Sequence, residues 1–277
     1  MTLIKQRASY LRWFLVLLLG VFLGLSLNHS LTSQEKVNLG IKKRTVFVDI
    51  ASDGTAIAEY EGFLSKDGEF VKDGRFLEFH RNGTVSRLGR YEKGVPVGRI
   101  HSFREDGTPA TFAEYNELGS HDGQAFGWHE NGRLFVRHNW NNGVQVGFLR
   151  TYHPNGILSS YCRFRPKEPT EDDRRTRIEG HSLRWHPSGA LESIRTFSEG
   201  RAVGIWTTYY ESGQLKSEFR PSEAGKTGPD YEWHENGQLA AERHWDDEGR
   251  KTGTWSTWNT DGELLSDEEY MDGVKVE

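Results

Sequence analysis

The chain has 277 residues, 35% of them hydrophobic and 12% aromatic, with 31 glycines and a formal net charge of -5. So thin an aliphatic complement excludes a deep core, whereas many rings and glycines suit short strands and tight turns. Residues 1–44 hold seven Lys or Arg against the single Glu35, leaving residues 45–277 at about −11, a sign that repels phosphate backbones and excludes a nucleic-acid partner.

In chain order, Lys5, Arg7 and Arg12 precede an uncharged run from Trp13 to Leu27. A basic stretch followed by an apolar one is the pattern of an export signal. As a helix the run reaches about 22 Å, short of the roughly 30 Å of a bilayer core unless its flanks contribute. Residues 1–30 are therefore expected to be a hydrophobic helix serving as signal peptide or signal anchor. The segment Asn28 to Ser33 that follows the run holds no alanine, which favours an uncleaved anchor. The localisation expected is exported, either anchored to the cytoplasmic membrane with residues 45–277 outside or secreted. Residues 31–44 read as a polar linker. Residues 45–73, with turns at Asp53-Gly54, Asp67-Gly68 and Asp73-Gly74, read as degenerate hairpins capping the first edge strand.

From residue 74 to 277 the sequence repeats with a period of about 24 residues. Eight units start at Gly74, Gly98, Gly123, Gly147, Gly180, Gly204, Gly228 and Gly253. Counting that glycine as zero, an apolar or aromatic residue falls at position two and a ring at position five. Asn, Asp or Ser followed by Gly occupies positions eight and nine, Leu usually position eleven, and a ring position seventeen, except for Pro221 in one unit. All eight tryptophans beyond the leader fall on the ring positions. Each unit is thus expected to be a β-hairpin, turning at pairs such as Asn82-Gly83 and Ser212-Gly213. A second glycine turn follows about twelve residues later. Since one hairpin cannot bury its own rings, neighbours must add edge to edge. The fold class expected is all-β, with tandem hairpin repeats forming one elongated antiparallel meander sheet behind an N-terminal hydrophobic helix.

Units such as Gly204-Ile-Trp-Thr-Thr-Tyr-Tyr-Glu-Ser-Gly-Gln-Leu and the segment His234-Glu-Asn-Gly-Gln-Leu resemble the MORN-repeat variant of YwqK-family antitoxin-like proteins. The resemblance covers residues 74–277. It implies β-hairpin repeats, binding to a protein or surface, and a toxin-neutralising role.

The fourth unit is lengthened by an insertion near 165–179, rich in Pro, Glu, Asp and Arg, which reads as a solvated loop. Cys162 is the sole cysteine, so neither an intramolecular disulfide nor a four-thiolate zinc site can form. His80, His129, His153, His186 and His234 all stand at position six. Successive hairpins repeat every 9.5 Å or so, too far apart for side chains to share one zinc, so these histidines are expected to serve the turns. No nucleophile elbow, phosphate-binding loop or zinc-protease helix occurs. The expectation is a noncatalytic scaffold without metal or cofactor that binds a protein partner. The alternative is a cell-wall glycan stacked on ring columns. The candidate binding residues are Trp128, Trp185, Trp206, Tyr209, Trp233, Trp255 and Trp258.

Overall fold

Rings and β-branched residues alternate with polar ones between glycine turns, which leaves no helical period for the backbone to follow. The computed structural model describes residues 45–166 and 176–276, all inside the compact unit Lys43–Glu277. The expected N-terminal helix, the signal segment and the linker lie outside the described residues. Among the described residues there is no helix, hence none long and apolar enough to cross a membrane.

They form twenty strands in one antiparallel sheet. The sheet begins with β1 (Thr45–Ile50), β2 (Ala56–Leu64), β3 (Phe70–Phe79), β4 (Val85–Glu92) and β5 (Val95–Phe103). It continues through β6 (Pro109–Tyr115), β7 (His121–Trp128), β8 (Leu134–Asn141), β9 (Val144–Tyr152) and β10 (Leu158–Pro166). Then come β11 (Thr176–Ile178), β12 (Gly180–Trp185), β13 (Leu191–Ser198), β14 (Arg201–Tyr209) and β15 (Leu215–Ser222). The last are β16 (Gly225–Trp233), β17 (Leu239–Trp245), β18 (Lys251–Trp258), β19 (Leu264–Met271) and β20 (Val274–Lys275). Consecutive strands pair, so the sheet is an open meander. Among the described residues the strand order departs from one-to-one pairing at β10, against which both β11 and β12 lie.

Two findings refine the sequence reading of the ends and the insertion. Residues 45–73 extend the sheet as β1, β2 and the start of β3, with β2 paired along β3 and β1 along β2. The open edge passes to β1, where Val46, Val48 and Ile50 are exposed. The insertion expected as a loop over 165–179 is narrower, because Arg165 pairs with Arg177 and Pro166 with Thr176. Its centre lies outside the described residues.

The hairpins use two kinds of turn. In the first unit Gly83 N–H donates to His80 O at 2.9 Å and His80 N–H to Thr84 O at 2.8 Å. This is a type I turn closed by a bulge glycine, with φ of 81° at Gly83 and no positive φ at Asn82. The mirror-image two-residue turn, which needs two left-handed residues, occurs instead at the far end of several hairpins. There Lys93-Gly94, Asn142-Gly143, Glu199-Gly200 and Asp272-Gly273 have positive φ at both positions.

The glycine that opens each unit has a role the repeat pattern did not disclose: it sits in a β-bulge. Tyr60 pairs with Phe76 and Gly62 with Lys72, so three residues of β3 face the single Glu61. Gly74 takes φ of 133° there, and a Cβ on it would stand 2.4 Å from Glu61 Oε2. That carboxylate is engaged, accepting from Arg75 N–H at 3.0 Å. Glu114 repeats the arrangement, accepting from Gln124 N–H at 2.9 Å. On its other side the bulge glycine faces the position-seventeen ring, as in Gly74 opposite Tyr91 and Gly123 opposite Trp140.

Burial is shallow, as composition requires. The tightest cluster, Ala58, Tyr60, Phe76 and Ile100 with Phe70, Tyr91 and Tyr115 packed on it, covers the first units. Farther along, only small residues such as Cys162 and Ala241, and the polar Ser193 and Asp230, are closed off from solvent.

Candidate binding surface

The position-six histidines are inter-repeat staples. His80 Nε2 lies 2.9 Å from Phe103 O, and His129 Nε2 2.7 Å from Tyr152 O. His153 reaches Trp185 O at 2.8 Å, His186 Tyr209 O at 3.0 Å, and His234 Trp258 O at 2.9 Å. In each case the acceptor is the carbonyl of the position-five ring residue in the next unit. A carbonyl only accepts, so Nε2 carries the hydrogen. Where the histidine is replaced, Tyr210 OH donates to Trp233 O at 2.8 Å and Arg104 donates to Trp128 O. The turn asparagines add a second tie: Asn82 Nδ2 donates to Glu105 O, Asn131 to Pro154 O, Asn155 to Pro187 O and Asn236 to Thr260 O, at 2.7–2.9 Å. One edge of the sheet is therefore laced from turn to turn.

The seven candidate rings divide between the two faces of the sheet, since alternate residues of a strand point to opposite sides. Trp206 and Trp255, at position two, share a face with the position-seventeen rings. Trp206 packs 5.4 Å from Phe197 and 5.9 Å from Phe219, and Trp255 4.8 Å from Trp245 and 5.3 Å from Tyr270. Their indole N–H groups donate to Thr196 O at 3.3 Å and His244 O at 3.0 Å, in the preceding unit. Cations cover the rings: Arg195 stands 5.1 Å from Trp206, and Lys251 4.2 Å from Trp255. Trp128, Trp185, Tyr209, Trp233 and Trp258, at position five, lie on the opposite face beside the laced turns. Trp128 touches Phe126 and Trp233 touches Tyr231, each two residues earlier on the same strand. All seven are half-buried.

Position two also admits a buried charge. Asp230, only 1% exposed, accepts from Lys226 Nζ at 2.7 Å and lies 3.6 Å from Arg243, which itself clasps Glu232 at 2.8 Å. The Arg243 hydrogen bond holds the Glu232 carboxyl below the usual carboxylate range. At the other end of the sheet, burial and the neighbouring Glu78 push the Tyr60 phenol up to about 12. Burial raises the Cys162 thiol and so disfavours the reactive thiolate.

On the face opposite Cys162 and Leu149, strands β7 to β10 bring arginines and rings together. Phe126 pairs with Arg137, Arg137 with Arg150, Arg150 with Tyr161 and Phe148 with Arg163. Arg137 lies 5.5 Å from the Phe126 ring centre, and Arg150 5.3 Å from Phe148 and 5.5 Å from Tyr161. Arg163 lies 5.7 Å from Phe148, whose ring stacks 5.3 Å from that of Tyr161. The repeat pattern concealed this cluster because its members stand at positions that vary from unit to unit.

The family model of the MORN repeat variant matches residues 202–220 and 226–247. Comparison with curated proteins gives no match. Among solved structures the chain is similar to one in a crystal structure of TcdB2-TccC3-Cdc42, at 12% identity over 82% of this chain and TM-score 0.17. It is also similar to one in a crystal structure of TcdB2-TccC3 without its hypervariable C-terminal region, at 15% identity over 79% and TM-score 0.20. A third is the Photorhabdus luminescens Tc holotoxin pore, at 11% identity over 82% and TM-score 0.14. The chain spans 14% of the length of the first two solved chains and 16% of the third.

Proposed function

We propose that residues 45–277 act as a noncatalytic, protein-binding repeat scaffold held outside the cytoplasmic membrane by the N-terminal segment. The observation that carries this reading is the division of labour within each unit. Side chains that recur from unit to unit, the turn histidines and asparagines, bind the next hairpin, whereas the residues between them vary and populate two broad faces. An open sheet with a fixed lattice and variable faces suits recognition by surface complementarity rather than chemistry in a pocket. Export rests on the basic cluster before the Trp13 to Leu27 run. By resemblance to the YwqK-family proteins, the partner is a protein toxin neutralised by being held on the sheet. Chemical cross-linking of the full chain in membrane extracts, followed by affinity capture, tests the reading. The expected result is a reproducible protein partner; none, with the sheet folded, overturns it.

A glycan-binding reading is favoured by the position-five column, whose rings recur along one edge. Trp206 and Trp255 are set aside from it because their own sheet covers them. Loss of peptidoglycan retention in a Trp128→Ala plus Trp233→Ala double variant supports it; unchanged retention overturns it.

A further inference from the structure

We propose that the arginine and aromatic cluster on β7 to β10 is a docking site for an acidic protein segment. The inference rests on the scaffold reading and specifies where and for what chemistry the sheet binds.

Arg137 and Arg150 are direct partners across β8 and β9, a placement that sets like charges side by side and destabilises a sheet. Several arginines elsewhere are neutralised by a carboxylate of the protein itself: Arg87 by Glu78, Arg99 by Glu114, Arg243 by Glu232 and Arg250 by Asp246. Among the described residues no carboxylate pairs with Arg137, Arg150 or Arg163. Their positive charge is instead supported by the ring faces of Phe126, Phe148 and Tyr161. A guanidinium stacked on a ring keeps its in-plane N–H donors free, in the fork geometry that fits a carboxylate.

Charge and apolar surface together select the partner class. This concentrated positive patch sits within residues 45–277, whose net charge is about −11, so it is the local exception to a field that repels anionic polymers such as nucleic acids. A short acidic peptide needs to reach only the patch. Phe148, 37% exposed, and the half-buried Tyr161 offer it apolar contact between the charges. Arginine and aromatic residues in contact are the composition of protein-binding hot spots.

The probe is a capped ten-residue peptide of alternating Glu and Leu, compared with its Gln-Leu counterpart and with an oligothymidylate of equal charge, on the full chain by fluorescence anisotropy. The Glu-Leu peptide is expected to bind more tightly than either, and to weaken as salt rises. Arg137→Gln and Arg150→Gln are each expected to weaken it about tenfold. Arg99→Gln, which removes an arginine already paired with Glu114, leaves binding unchanged. Tryptophan fluorescence confirms that each variant is folded. Equal binding of the Gln-Leu peptide, tighter binding of the oligothymidylate, or binding insensitive to Arg150→Gln overturns the docking site. If membrane-extract capture still recovers a partner in those cases, the scaffold reading stands and only the site falls.

Discussion

The turn of the fourth unit offers an informative perturbation, because its two staples cross the insertion. His153 reaches Trp185 O at 2.8 Å and Asn155 reaches Pro187 O at 2.7 Å, over a sequence separation of 32 where His80 spans 23. His153→Ala removes one hydrogen bond and leaves a half-buried carbonyl without its donor, a loss of about 1–2 kcal/mol. Asn155→Ala removes an exposed bond together with the contact from Oδ1 to Ile157 N–H at 3.0 Å, about 1 kcal/mol. The double variant should lose about 2–3 kcal/mol, with some coupling because both acceptors belong to one strand end. Each hairpin touches only its neighbours, so the loss falls on the seam between β10 and β12 rather than on the whole sheet. Hydrogen exchange by mass spectrometry on the full chain is expected to show faster exchange in residues 147–166 and 180–198, with residues 74–115 unchanged. His181→Ala is the control, since its Nδ1 lies 3.1 Å from Thr196 Oγ1 inside its own hairpin. A seam no weaker in His153→Ala than in His181→Ala, or protection lost evenly along the sheet, would refute the staple argument.

Three further expectations concern single residues. Gly213→Val places a β-branched residue at φ of 88° where space is open, so the cost of more than about 1 kcal/mol comes from the backbone alone. Ser217→Val should cost less, about 1 kcal/mol, because it breaks the 2.6 Å bond between Ser217 and Thr208 hydroxyls on a strand that otherwise suits valine; urea midpoints rank the two, and the reverse order contradicts the turn assignment. Gly89→Ala sets a methyl 2.8 Å from Phe76 and 2.9 Å from Ile100, and this overpacking should cost about 1–3 kcal/mol by thermal unfolding, whereas a neutral result would show a looser core. Burial, then His121, holds the His138 pKa below its ordinary value, so the unfolded chain binds the proton first and stability falls as pH drops from about 7 through the unfolded value near 6.5, levelling below the folded one. His138→Gln should flatten that slope; an unchanged slope assigns it elsewhere.

Period and turn chemistry made the hairpins legible, because glycine turns and alternating rings are local signals. The bulge at each opening glycine was hidden, since Gly74 is needed by Glu61, a residue of the preceding strand. The staples were hidden for the same reason: His80 and its acceptor at Phe103 are visible as partners only once two units stand side by side. In the sequence the candidate rings form one set, but positions two and five differ in parity, so the pleat sends Trp206 and Trp233 to opposite faces. The apolar rule at position two failed at Asp230, where Lys226 and Arg243 compensate a buried carboxylate. Arg137 and Arg150 carry no repeat signal, and only the strand register brings them together.

The claim on which everything else rests is that consecutive units join in a fixed register as one meander. Engineered cysteines, in a Cys162→Ala background, test it directly. Arg87 and Ser102 are partners across β4 and β5, and paired strands hold such Cα atoms about 4.5–5.5 Å apart, within disulfide reach. Arg87→Cys with Ser102→Cys is expected to cross-link on mild oxidation. So is Ser193→Cys with Thr208→Cys, across the junction of β13 and β14. Arg87→Cys with His101→Cys, one residue out of register and on the opposite face, is expected to remain reduced. Cross-linking of the slipped pair in preference to the registered ones, or of neither, would contradict the meander.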